Sequence, residues 1–240
     1  MSGALFGSVG RSAALRLSAA RPKLITVTGG VAVGKSTFAE KLRRSLQRQH
    51  DQRVEIVSTD GFLCADSDLV AAGLLHRKGF PESYDHTAIA TFFRALRDGE
   101  AALSVPVYCH RARGCVGHQQ LTRPDWLIIE GVYAQQPTRA SGLDSYAIFL
   151  EADQALIRHW YTERFLRLHG HKFAERGEAL QRAHQLYTEV NYANYLECIA
   201  PLRSSADLVL FKTDAHELRR RRRSAASTVS TAFVEGTEQA

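Results

Sequence analysis

Apolar and polar residues follow two different periods along the chain, and the period switches repeatedly. Lys23–Gly29 (KLITVTG), Val54–Asp60 (VEIVSTD), Trp126–Gly131 (WLIIEG), Ala147–Ala152 (AIFLEA) and Leu208–Lys212 (LVLFK) are short runs of β-branched and large apolar residues. Such runs predict buried strands. Between them the apolar residues recur at helical spacing. This predicts helices over Phe38–His50, His86–Arg97, Gln154 to about Leu168, Ala179–Leu196 and about Asp214–Arg223. In His86–Arg97, the residues Ile89, Phe92, Phe93 and Leu96 share one face. Strands that are apolar on both sides and alternate with helices predict an α/β fold. Its sheet is five-stranded and mainly parallel, with helices on both faces. In such sheets ligands sit beyond the carboxyl ends of the strands. Gly29 to Ser36, Asp60, Glu130 and Lys212 all fall there.

Residues 28–37 read TGGVAVGKST. Gly29, Gly30, Val31, Ala32, Val33, Gly34, Lys35 and Ser36 fit GxxxxGK followed by Ser or Thr, between a strand and a helix, with Thr37 next. Glycines let backbone N–H groups curl around a phosphate, and the helix N-terminus adds partial positive charge. A lysine in this position neutralises the β- and γ-phosphates of ATP, and a hydroxyl ligates Mg²⁺. A plain glycine-rich turn does not explain the Lys35–Ser36 pair. Glu130, at the end of an apolar strand, can reach Mg²⁺ directly or through water; it can also be a strand-end acid in solvent. Asp60 ends the second strand in STDGF. A carboxylate there can accept or orient the proton of an acceptor hydroxyl, as kinases require; it can also cap a turn. On the helix IRHWYTERFLR, Tyr161 and Arg164 share a face. Arginine suits the charge spread over a transferring phosphoryl group, so this helix reads as a lid or equally as a solvated face.

Composition adds bounds. The 240 residues suit one sizeable α/β domain, 45% hydrophobic and 23% charged. No apolar run approaches the roughly 20 residues of a membrane span. The net charge of +6 is concentrated in Arg219–Arg223. That run can mark nucleic-acid contact, but without interleaved aromatics it fits better the solvated end of a last helix. Cys64, Cys109, Cys115 and Cys198 form no CxxC pair or zinc spacing, as expected of reduced thiols in a cytosolic protein. Residues 1–22 lack acids and are rich in Ser, Ala and Arg. Their composition is like that of a transit peptide, and they read as a frayed or weakly helical extension. The kinase-like unit spans 23–223, and the small polar tail over 224–240 reads as disordered.

The strings GGVAVGKST, STDGFL, RKGFPESYD, PVYCH, IIEG, WYTERFL, EVNYANY and FKTDAH occur in that order over about residues 23–220. On these the chain resembles the prokaryotic type of pantothenate kinase, within the phosphoribulokinase and uridine kinase-like group of P-loop kinases. GFPESYD and PVYxH are more specific than the phosphate loop. The resemblance implies a P-loop fold with a helical lid, ATP and Mg²⁺ as phosphoryl donor and metal, and a small-molecule hydroxyl acceptor, pantothenate first. Other hydroxyl acceptors, such as a nucleoside or sugar acid, remain open, as does a nucleotide-dependent nucleic-acid binder. Lys35 and Ser36 match the phosphate and Mg²⁺ residues, and Asp60 the catalytic carboxylate. Tyr108, His110 and Tyr161 match pocket residues, Arg164 the catalytic arginine and Asn191 an acceptor-binding asparagine. Lys212 and His216 match residues near adenine. The group often forms homodimers. The chain departs from the pattern in being shorter before the first strand and over Leu168 to about Glu178, and in carrying Arg111 and Arg113 after His110.

Overall fold

The apolar runs build the sheet. The computed structural model describes residues 2–17, 22–109 and 114–221. After helix α1 (Ser2–Arg16) come β1 (Lys23–Gly29), α2 (Lys35–His50), β2 (Val54–Ser58), α3 (Asp66–Ala71) and α4 (His86–Asp98). A hairpin of β3 (Ala102–Cys109) and β4 (Gly114–Thr122) precedes β5 (Trp126–Glu130), α5 (Gln135–Ala140) and β6 (Ser145–Glu151). Helices α6 (Gln154–His169) and α7 (Arg176–Leu186) lead to β7 (Leu208–Lys212) and β8 (Leu218–Arg221). Six strands form one sheet in the order β2-β5-β1-β6-β7-β8, and the β3–β4 hairpin stands apart. The five expected strands pair in parallel. The sixth, β8, is antiparallel to β7.

Alternation along each strand splits the core between two faces. Ile25, Val27, Ile128 and Ile148 pack with Phe38, Leu42 and Leu46 of α2. Leu24, Leu127 and Ile129 face the other way, onto Phe92, Phe93 and Leu96 of α4 and Leu103 and Val105 of the hairpin. The register places Ser58 beside Glu130 and Glu130 beside Val27. The carboxyl ends of β1, β2 and β5 therefore meet at one level.

Three expectations differ from the structure. Residues 2–16, expected to be frayed or weakly helical, are helical and are packed rather than a loose extension: α1 lies on α2, with Phe6, Val9, Ala13 and the following Leu17 buried in the main core. Phe6 lies against Phe38 with ring centroids 5.2 Å apart. Phe6→Ala is expected to cost about 3 kcal/mol, as for a phenylalanine deleted from a core. Urea unfolding measures this, and an unchanged midpoint would mean that α1 contributes nothing to stability. Second, the final helix expected at 214–223 is a turn and strand. Arg219 pairs with Glu217, Arg220 donates to the Ser8 hydroxyl of α1, and Arg221 lies over the Phe211 ring with its Nη1 3.6 Å from Glu151. These partners and the free edge of β7 outweigh helical propensity. Arg222, Arg223 and the 224–240 tail lie outside the described residues. Third, the helix expected at 179–196 leaves α geometry after Leu186 and runs as π-helical turns over Tyr187–Tyr192 and Tyr195–Ile199.

Among the described residues, Cys64, Cys115 and Cys198 are free thiols, and no helix is long and apolar enough to cross a membrane.

Candidate active site

The loop from Gly29 to Ser36 turns from β1 into α2 and carries Ala32 in the left-handed region at φ 58°, uncommon for a residue with a Cβ. Two lysines hold its carbonyls. Lys35 Nζ donates to the Gly30 carbonyl at 2.9 Å, and Lys212 Nζ to that of Val33 at 3.2 Å. Gly29, Gly30, Val33 and Gly34 shape the turn, and Thr37 is exposed in the first turn of α2.

Next to the loop lies a cavity of about 770 Å³. Val31, Ala32, Lys35 and Ser36 line its floor, with Asp60 and Glu130 beside them. The Ser36 hydroxyl donates to Glu130 Oε1 at 3.1 Å. Glu130 is only 6% exposed, and burial pushes its carboxyl pKa up. Lys35 counters that shift, nearby Asp60 adds to it, and the Ser58 and Ser36 hydroxyls oppose it. Burial pushes the Lys35 pKa down, Glu130 and Asp60 pull it back up, and Arg164 lowers it. Two cations and two carboxylates thus sit within electrostatic reach of one another. The paired oxygens of Ser36 and Glu130 are the hard donors that Mg²⁺ takes, so the residues present fit that ion.

Two glycines allow this convergence. Asp60 sits in a 3-10 turn over Thr59–Phe62, its N–H directed to the Ser58 hydroxyl. A Cβ on Gly131 would fall 1.8 Å from Thr59 Oγ1, and one on Gly61 would fall 2.3 Å from the Pro106 carbonyl. Bare glycine lets the Asp60 turn press against both the end of β5 and the hairpin. The hairpin in turn brings Tyr108 to the cavity wall.

The opposite wall is helical. Tyr161, Arg164, Phe165, Leu168 and His169 line it, and their spacing is one face of α6. Burial raises the Tyr161 pKa, against hydrogen bonding from Asn191 and the charges of Arg164 and Arg182. On the second helix Arg182, Leu186, Asn191 and Asn194 line the cavity. Asn191 lies five positions after Leu186, and its Nδ2 donates to the Leu186 carbonyl at 3.1 Å. The π-helical turn therefore keeps Asn191 on the cavity face; such turns recur at functional sites. Asn194 is buried: its Nδ2 donates to the Gly79 carbonyl at 2.8 Å, while its Oδ1 has no hydrogen-bond partner among the described residues.

Lys212 and His216 meet away from this cavity, at the other side of the loop. Lys212 Nζ lies 4.3 Å from the centre of the Trp160 ring, and that ring is 5.0 Å from His216. Together with Trp160 they form an aromatic cluster carrying the Lys212 ammonium beside the phosphate loop. His110, Arg111 and Arg113 lie outside the described residues. The sequence reading missed Lys78, Phe165, Phe173, Arg182 and Asn194 in the lining. Phe165 and Phe173 lie 6.0 Å apart and supply aromatic cover in the shortened segment. The i, i+4 repeat from Tyr161 to Phe165 carried part of this signal.

The chain has relatives of known name. A pantothenate kinase of Leifsonia xyli subsp. xyli is 40% identical over 218 residues, 82% of this chain and 68% of that protein. One of Myxococcus xanthus is 38% identical over 224 residues, 83% and 71% of the two chains. In fold, a candidate fructose transport system kinase from Silicibacter sp. TM1040 superposes with a TM-score of 0.67 at 23% identity, covering 79% of this chain and 91% of that one. The sequence pattern of one family matches residues 24–218, and with it the chain belongs to the phosphoribulokinase / uridine kinase family.

Proposed function

We propose that this chain transfers the γ-phosphoryl group of ATP to the primary hydroxyl of pantothenate, giving 4'-phosphopantothenate for coenzyme A biosynthesis. The observation that carries the reading is the meeting of Lys35, Arg164, Asp60 and Glu130 in one cavity. Tyr108, Tyr161 and Asn191 add polar and aromatic groups to walls that also carry aliphatic residues such as Val105, Leu168 and Leu186. The likeness to pantothenate kinases at 36–40% identity supports the choice of acceptor. The phosphate loop holds the triphosphate through backbone N–H groups and the Lys35 ammonium. The base lies toward Trp160, Lys212 and His216. Ser36 and Glu130 hold Mg²⁺, which when bound neutralises charge on the phosphates.

Asp60 orients the acceptor hydroxyl and accepts its proton as the oxygen attacks the γ-phosphorus. ADP leaves with the electrons of the broken P–O bond, and the proton remains on Asp60. Lys35 and Arg164 stabilise the charge spread over the transferring group, by position and electrostatics. Tyr161 and Asn191 hold the acceptor chain, with Tyr108 on the hairpin wall.

An ATP-consumption screen over pantothenate, pantetheine, nucleosides and small hydroxy acids tests the acceptor. Pantothenate is expected at the top, with a micromolar KM. Lys35→Ala is expected to lose ATP affinity in a nucleotide titration. A nucleoside or hydroxy acid preferred over pantothenate would replace the acceptor and leave the kinase reading standing.

A further inference from the structure

We infer that Lys172 and Arg182 form an anion subsite at the mouth of the cavity. It binds a negatively charged group on the acceptor, at the end remote from the phosphorylated hydroxyl. The inference rests on the kinase reading above and adds the charge of the acceptor's tail.

The first support is the depth gradient along the second lid helix. On its cavity face, Arg182 is exposed, Leu186 and Asn191 are half-buried, and Asn194 is buried. Arg182 therefore stands at the mouth and Asn194 at the bottom. Arg182 shares the cavity-lining face of this helix with Leu186 and Asn191, and Tyr161 on α6 feels its charge. Lys172, also exposed, lies in the short turn after α6 and lines the same cavity.

The second support is an imbalance of charge. Lys35, Lys78, Arg164, Lys172 and Arg182 line the cavity against only Asp60 and Glu130 as carboxylates. Lys35 lies by those two acids with Arg164 in electrostatic reach of it, and Lys78 pairs with Asp66. Among the described residues, Lys172 and Arg182 have no carboxylate in ion-pair contact. Arg182 uses one N–H, from Nη1 to Gln185 Oε1 at 2.7 Å, and a guanidinium has five. Two cations beside a cavity, without acidic partners, suit a carboxylate from outside the chain, and arginine binds one in a two-pronged fashion. A carboxylate at this end and a hydroxyl at Asp60 describe an elongated hydroxy acid, the chemical class to which pantothenate belongs.

The test compares pantothenate with pantothenol, in which a neutral hydroxymethyl group replaces the carboxylate. Wild-type enzyme is expected to favour pantothenate by about 10- to 100-fold in kcat/KM, mainly through KM, as charge-assisted hydrogen bonds allow. In the Lys172→Gln, Arg182→Gln double variant the preference is expected to shrink to about 3-fold or less. Added salt should erode the wild-type preference but not the variant's. Thermal stabilisation by ATP, followed in parallel, reports whether the variant still folds and binds the donor. A wild-type enzyme indifferent to the carboxylate, or a double variant with the full preference, overturns the subsite and leaves the kinase reading intact. Turnover of neither compound overturns the acceptor assignment and the subsite built on it.

Discussion

Asp60→Asn is expected to lower kcat by about 10²–10⁴, the range for losing a general base, while ATP binding holds or tightens. Asparagine keeps the shape and can still meet a hydroxyl, but it cannot take the proton. The direction for ATP follows from the charges around the loop. Asp60 is an acid beside the place where the γ-phosphate belongs, so its removal relieves a repulsion. The same change acts on its neighbours. Asp60 pulls the Lys35 pKa up and pushes that of Glu130 up. Without it, both pKa values fall: Lys35 loses a partner for its charged form, and Glu130 loses a like charge. Glu130 is then ionised to a lower pH than before, which favours metal binding there. Steady-state kinetics and a nucleotide titration on the same variant check both halves. Full turnover would remove Asp60 from the mechanism. A loss of ATP affinity matching the loss of kcat would make it a donor-site residue instead.

The loop, the five parallel strands and the strand-end acids were legible because each rests on local signals. TGGVAVGKST carries its own geometry, and WLIIEG is apolar on both faces, as a central strand must be. What was not legible depended on partners distant in sequence. Two partners of the β8 arginines, Ser8 for Arg220 and Glu151 for Arg221, are far from them in the chain. Residues 2–16 have the composition of a loose extension, without acids and rich in Ser, Ala and Arg, yet Phe6, Val9 and Ala13 sit at helical spacing and are buried together. The β3–β4 hairpin was missed because β4 is exposed along most of its length and lacks an apolar run. The π-helical turns have no simple sequence sign, and they decide which side of the helix Asn191 occupies. Within the site, motif residues were readable and enclosure was not. Phe165, Phe173, Arg182 and Asn194 acquire a role only once α6 and α7 pack against each other.

That division explains how a common phosphate grip becomes selective. The floor of the cavity is set by the strand ends and two close-packed glycines, so its charges are fixed before any ligand arrives. The walls come from the hairpin and two helices, which share few backbone bonds with the sheet. Substitutions on the floor should therefore act on rate. Substitutions on the walls should act on which hydroxyl is admitted.

Arg164 stands where these two sets meet, on the wall but close to the floor charges, and Arg164→Ala is expected to lower kcat by about 10³ or more. The magnitude follows from arginines that stabilise transferring phosphoryl groups, which contribute roughly 10³–10⁵ in rate. Position supports the assignment: Arg164 is half-buried, lines the cavity and is close enough to Lys35 to lower its pKa. Like charges kept that close favour an anion between them, and the transferring group carries the charge. Arg164→Lys should recover only a small part of the rate, since an ammonium lacks the planar fork that contacts two oxygens at once. The loss should fall on kcat more than on either KM, because the group is needed most when charge spreads over the moving phosphoryl. Single-turnover measurements with ATP and acceptor both saturating isolate that step. If Arg164→Ala raises only the acceptor KM, the residue belongs to the wall alone, and Lys35 with the metal carries the transition-state charge.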